Sequence, residues 1–111
     1  MGNEQAGVWY VYMLRCRGGS IYTGITNDLR ARWKAHRSGR GARYTRSFPP
    51  VGMVAAWYAP DRSIAARAEA RIKGMAADEK EGLGEPDAMV AFAAEFDGFA
   101  PLPPGAFPDP A

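Results

Sequence analysis

Cysteine and histidine are nearly missing from this chain: Cys16 and His36 are the only ones in 111 residues. A lone cysteine closes no intramolecular disulfide, and one Cys with one His builds no structural zinc site. Asparagine is also scarce, with only Asn3 and Asn27. No apolar run approaches the ~20 residues that cross a bilayer, so no membrane partner is expected. The start, Met1 to Gly7, is polar and lacks a signal-peptide layout. A flexible N-terminus over 1–7 and a cytoplasmic location are the default expectations. There is no GxxxxGK[ST] loop, no GxGxxG after a strand and no GxSxG elbow, which removes the common phosphate-cradle, dinucleotide and serine-hydrolase signatures.

Acidic residues are rare in the first two thirds. Residues 1–75 hold thirteen of the fourteen Lys+Arg and only Glu4, Asp28, Asp61 and Glu69 as acids. The rest reverses this, with Lys80 as its one base and eight acids, so the net charge of +2 conceals a basic part and an acidic part. Nine bases and one acid lie between Arg15 and Arg46. Such a patch attracts polyanions by releasing their counterions. Aromatic and glycine residues interleaved with the charge favour nucleic acid over a merely solvated surface.

With 47% hydrophobic residues, the chain can build the core of one compact domain. Val8 to Leu14 is β-branched and aromatic and reads as a strand; Ser20 to Ile25 reads as a second. Arg17-Gly18-Gly19 between them predicts a turn and an antiparallel hairpin. Strand alternation puts Tyr10 and Tyr12 on one face, with Trp9, Val11 and Met13 on the other. Thr26, Asn27 and Asp28 offer N-caps for a helix to about Arg37, with Leu29, Arg32, Trp33 and His36 on one stripe. Arg40 to Arg46 reads as a basic loop and Val51 to Tyr58 as a third strand. A helix follows from about Ser63 to Met75, with Ile64, Ala68, Ile72 and Met75 as its stripe and Glu69 at the margin. A short helix over Ala77 to Leu83 and another from Pro86 complete the pattern. The prolines from Gly98 onward predict an extended or mobile tail.

Tyr12, Tyr22, Arg32, His36 and Glu69 together suit phosphodiester chemistry. Such a reaction needs a deprotonated water, charge stabilisation on the phosphate and help for the leaving oxygen. Arg32 is a permanently charged fork matched to phosphate. Glu69, the only acid between Asp61 and Asp78, is the natural metal ligand, because Mg²⁺ accepts one carboxylate with water and substrate oxygens around it. His36 suits a base or the orienter of one. Tyr12 and Tyr22 suit partners for the water, although an ordinary phenol with a pKa of about 10 is a poor base at neutral pH. Each residue taken singly has a duller explanation: packing for the tyrosines and His36, surface charge for Arg32, and pairing with Arg67, Arg71 or Lys73 for Glu69. Their joint convergence is what carries the chemistry.

With Tyr10-Val11-Tyr12, Tyr22-Thr23-Gly24, Ile25 to Leu29, Arg32, His36, Ser38 to Arg46, Glu69 and Ile72-Lys73, the chain resembles a GIY-YIG nuclease domain of the small stand-alone bacterial kind. The resemblance covers roughly Val8 to Leu83. It implies an α+β fold with a three-stranded antiparallel sheet flanked by helices, over 8–83. It implies Mg²⁺- or Mn²⁺-dependent DNA cleavage, as in repair or recombination, with Tyr12 and Tyr22 near the water. Arg32 then takes the phosphate-stabilising position, His36 the helix position that assists the base, and Glu69 the metal-binding one. Gly24 takes the motif glycine, where a side chain would crowd the site. Several members use a late asparagine, which this chain lacks. Residues 84–111, an acidic helix and Pro-rich tail, have no counterpart in the resemblance; they suit shielding of the basic face, docking of a protein partner, or plain solubilisation.

The expected DNA contacts are Lys34, Arg40, Arg43, Tyr44 and Arg46, with Tyr44 placed to stack on an exposed base. One small basic face mainly grips phosphates, so structure-selective or weakly selective cutting of branched or single-stranded DNA is expected rather than sequence reading. Two rivals stand beside a nuclease: a nucleic-acid-binding module that cuts only beside a partner or not at all, and an interaction protein working through its acidic C-terminal segment.

Overall fold

The computed structural model describes residues 8–108. The expected flexible segment Met1 to Gly7 lies outside the described residues. Strands β1 (Trp9–Cys16) and β2 (Ile21–Thr26) form the predicted hairpin, with Tyr12 opposite Gly24 and Leu14 opposite Tyr22. Its turn uses Gly18 and Gly19, both at positive φ (93° and 96°), where a Cβ would be strained.

Helix α1 (Leu29–Arg37) follows at once, and of the three candidate caps Asp28 is the one used: its carboxylate accepts the Ala31 N–H at 3.0 Å. Residues expected as loop form a short helix instead, α2 (Arg43–Ser47), which accounts for the burial of Thr45. Strand β3 (Pro50–Ala59) pairs antiparallel with β1, which places β1 at the centre of the hairpin and β3. Helix α3 (Arg62–Lys73) is capped by Asp61 and buries Ala65, Ala68 and Ile72. Two shorter helices, α4 (Ala77–Gly82) and α5 (Pro86–Ala93), lead towards the tail.

The tail departs from expectation. Ala100–Pro101 forms a fourth strand, β4, on the outer edge of β3, and Pro104–Ala106 forms a turn of 3₁₀-helix. The sheet is therefore four-stranded, in the order β2-β1-β3-β4, where three strands were expected. A proline is tolerated here because β4 is an edge strand, where a missing N–H costs no ladder bond.

The two faces of the sheet carry two cores, as alternation along β1 predicts. Val11 and Met13 join Ala55, Trp57, Ala65, Ala68 and Ile72 on one face; Tyr12, Leu14 and Cys16 join Leu29 and Trp33 on the other. The first core does not stop at residue 83. Leu83, Met89, Phe92, Ala93 and Phe99 belong to it, and the indole N–H of fully buried Trp57 donates to the Met89 carbonyl at 3.1 Å. The tail then crosses to the second core, where Leu102 and Phe107 pack against it. Among the described residues, no helix is long and apolar enough to cross a membrane.

Candidate active site

The site grows from the hairpin and α1. Tyr12 projects from the central strand into the core beneath α1, and only 2% of it is exposed. It fits there because its cross-strand partner is a glycine: a Cβ on Gly24 would stand 2.5 Å from the Tyr12 hydroxyl oxygen and 2.8 Å from Cζ. Two turns along α1, His36 is 1% exposed and reaches the same point, with Nε2 2.8 Å from the Tyr12 hydroxyl. A second glycine makes room for the imidazole, since a Cβ on Gly41 would meet His36 Cγ at 2.6 Å and its Cα at 2.8 Å.

Thr45 completes the chain. Its Oγ1 lies 2.8 Å from His36 Nδ1 and donates to the Ala42 carbonyl at 3.2 Å. With the Thr45 proton so directed, Oγ1 accepts Nδ1–H from His36. That leaves Nε2 as an acceptor for the Tyr12 O–H. The direction of the relay among Tyr12, His36 and Thr45 is set by where the single Thr45 hydroxyl proton points.

Burial dominates the protonation states. It pushes the Tyr12 phenol up to about 12; the hydrogen-bonded Arg32 guanidinium pulls the other way, and the Tyr22 and Glu69 charges push with it. Burial, helped by the Arg32 charge, pulls His36 down to about 4. At neutral pH the pair is therefore phenol and neutral imidazole, an acid facing a free base. Arg32 is fixed by its 2.7 Å hydrogen bond to the Gly41 carbonyl, so the loop after α1 aims its guanidinium.

Tyr22 lies beside this group, its ring centroid 5.2 Å from His36 and 6.5 Å from Tyr12. Unlike Tyr12 it is only half-buried and lines a groove with Ile21, Thr23, Tyr44, Lys73 and Lys80. Glu69 stands on α3 at the margin of the stripe that packs on the sheet. Its side chain is 23% exposed and its carboxylate pairs with Lys73 at 3.1 Å, one of the three pairings the sequence allows. A surface i,i+4 pair of this kind contributes only about 0.3–0.5 kcal/mol. Among the described residues no group of three or more His, Cys, Asp or Glu gathers as a metal cage. The donor set is a single accessible carboxylate, which fits an ion that keeps its waters and takes substrate oxygens, as Mg²⁺ does.

Tyr12, Tyr22, Arg32 and His36 thus come together, and the Glu69 carboxylate is within electrostatic reach of the Tyr12 phenol. The expected DNA contacts Arg40, Arg43, Tyr44 and Arg46 lie together on the exposed segment after α1. Lys34 is exposed but two positions from Arg32, on a different side of α1. Tyr44 does not stand free: it stacks on Tyr22, with centroids 6.0 Å apart and rings 17° from parallel, and its hydroxyl bonds Ser20. Thr45 and Gly41, which bond and make room for His36, have no role that the sequence alone assigns. Their signal was the run Gly41-Ala42-Arg43-Tyr44-Thr45 itself, whose spacing from His36 acquires meaning only once α2 is known.

The profile of the GIY-YIG catalytic domain matches residues 8–81. The chain belongs to the GIY-YIG family. The stretch matched by the GIY-YIG profile carries every residue of the relay and Glu69. Similar proteins include the UPF0213 protein XAC3202 of Xanthomonas axonopodis pv. citri, 57% identical over 65 residues, which are 59% of this chain and 64% of that protein. The UPF0213 protein Reut_B5558 of Cupriavidus pinatubonensis is 46% identical over 72 residues, 65% of this chain and 80% of that one. This chain thus spans 64% of the length of the Xanthomonas relative and 80% of the Cupriavidus one. The solution NMR structure of the UPF0213 protein BH0048 from Bacillus halodurans aligns with a TM-score of 0.47 at 42% identity, over 73% of this chain and 90% of that one.

Proposed function

We propose that this GIY-YIG chain is a metal-dependent endonuclease that hydrolyses DNA phosphodiesters, with structure-selective or weak preference. The observation that carries this is the Tyr12–His36 hydrogen bond, beside the Arg32 guanidinium and within electrostatic reach of the Glu69 carboxylate. Glu69 would hold Mg²⁺ or Mn²⁺, which when bound supplies charge neutralisation at the phosphate and acidifies bound water.

The chain's own groups have separable tasks. Arg32, aimed by Gly41, binds a phosphoryl oxygen and stabilises the charge that grows on it. His36 holds a vacant Nε2 that receives the Tyr12 proton, and Thr45 keeps that nitrogen vacant. The gap between about 12 and about 4 keeps the proton on Tyr12 in the resting site, with Nε2 of His36 as its acceptor. Tyr22, reachable from the groove, orients the incoming water. The exposed arginines 40, 43 and 46 hold the DNA backbone without reading its sequence.

The Lys73–Glu69 contact is what favours the rival, a binding module that does not cut. The deciding experiment incubates purified protein with labelled linear, branched and single-stranded DNA, with and without Mg²⁺ or Mn²⁺. Divalent-dependent products that vanish in Glu69→Ala, while DNA affinity and the circular dichroism spectrum persist, support the nuclease. Unchanged cutting by Glu69→Ala removes Glu69 from the site; binding with no product in any metal supports the module.

A further inference from the structure

The aromatic residues of the site do not end at Tyr22. Tyr44 stacks on Tyr22, and Phe48 follows it with centroids 5.1 Å apart and a 33° tilt. The three rings form a ladder that starts at the catalytic cluster and climbs into solvent. Exposure rises along it: Tyr22 is half-buried, Tyr44 is 38% exposed and Phe48 46%. Packing explains the lower rung, which pins α2 to the hairpin. It does not explain Phe48, a large apolar ring left nearly half in water at the end of a segment of exposed arginines.

The surroundings are cationic. Arg40, Arg43 and Arg46 are exposed on the same segment, and among the described residues none of them makes an ion pair. On the other side, the groove that has Tyr22 and Tyr44 in its wall is completed by Lys80 and by Lys73, whose ammonium also pairs with Glu69 at 3.1 Å. Flat aromatic faces between two sets of cations match a strand whose bases are free to stack and whose phosphates run alongside. A duplex does not suit the platform, because its bases stack on one another and offer only their edges.

We propose that the Tyr22–Tyr44–Phe48 ladder is a binding subsite for an unpaired nucleotide of single-stranded DNA, with Lys73 and Lys80 facing its phosphates. Its position beside Tyr22 assigns the unpaired base to the neighbourhood of the scissile phosphate, a consequence that rests on the nuclease reading above. The ladder then makes the site selective for flaps, forks and single strands over continuous duplex.

The test measures affinity in EDTA, where no cleavage occurs, using fluorescein-labelled oligothymidylate and a duplex of equal length. Phe48→Ala, at an exposed position, is expected to weaken oligothymidylate binding roughly tenfold and duplex binding less than twofold, the usual scale for losing one base–aromatic stack. Tyr44→Ala should do the same and Tyr44→Phe should not; if Tyr44→Ala fails to fold, Phe48→Ala alone decides. A strand with abasic sites should bind wild-type protein as weakly as the intact strand binds Phe48→Ala. Equal losses for strand and duplex, or no loss, overturn the subsite, and tenfold tighter binding of oligouridylate overturns its assignment to DNA. The two readings fail separately. Wild-type cleavage with unchanged Phe48→Ala binding defeats only the ladder, and base-dependent binding without cleavage in any metal defeats only the nuclease.

Discussion

The hydroxyl of Tyr12 lies 2.8 Å from Nε2 of His36, joining a central strand to a helix 24 positions later. Both residues are buried, and neither is charged at neutral pH. The bond is a buried acid–base pair, and its geometry has measurable consequences.

Tyr12→Phe keeps the ring and its packing but removes the transferable proton. The expected result is a native-like circular dichroism spectrum with cleavage reduced about 10²–10⁴-fold, the usual contribution of a positioned acid or base. Full activity in single-turnover cleavage would remove Tyr12 from the chemistry.

His36 predicts a specific acid sensitivity. Its folded pKa of about 4 lies below the ordinary 6.5, so between those values the unfolded chain binds the extra proton. Stability from this group is present above pH 6.5 and is lost as pH falls towards 4, by about 3 kcal/mol across the window. Tyr12 acts at the other end: its pKa of about 12 exceeds the ordinary 10, so its contribution is present below pH 10 and lost as pH rises towards 12. Urea unfolding midpoints measured from pH 4 to 7 should therefore fall less with acid in His36→Gln than in wild type.

Thr45→Val is nearly isosteric and leaves His36 Nδ1–H buried without its acceptor. A stability loss of about 1–3 kcal/mol is expected. Activity should fall further than stability explains, because the imidazole is freed to take the other tautomer. Thr45→Ser should restore most of both, which denaturant titration and initial cleavage rates together would reveal.

Gly24→Ala places a methyl group where the Tyr12 hydroxyl lies. Overpacking of this kind costs about 1–3 kcal/mol. The displaced phenol should lose His36, so cleavage should drop while DNA affinity stays near wild type. Gly24→Ala protein that cuts normally would show that Tyr12 has room to move.

Phe92→Ala removes an aromatic side chain from the core behind the sheet, where Phe92 meets Trp57 with ring centroids 5.3 Å apart. The expected loss is about 3–5 kcal/mol, and a chain cut before Gly84 should not fold at all. Cooperative thermal unfolding of such a truncated chain would show that 8–83 is self-sufficient.

Much of this was legible in the order of residues. Period-two alternation in β1 separates Tyr12 from Val11 and Met13, because successive side chains on a strand must point opposite ways. Glycines announce the hairpin, Thr26, Asn27 and Asp28 offer the caps of α1, and helical spacing puts Arg32 and His36 on one side of α1. The motif run carries the family. These features depend on neighbours a few positions apart, so local physics settles them.

What only the tertiary structure decided depends on residues distant in the chain. Thr45 became a partner of His36 because Arg43 to Ser47 coils into a helix against α1, and no local period announces that. The proline-rich tail reads locally as structureless, yet it adds an edge strand and packs Leu102 and Phe107 onto the second core, because burial there outweighs the poor propensity of its prolines. The buried phenol and imidazole have ordinary pKa values in the unfolded chain. Their displacement in opposite directions comes from water excluded by the fold, which no sequence position states alone.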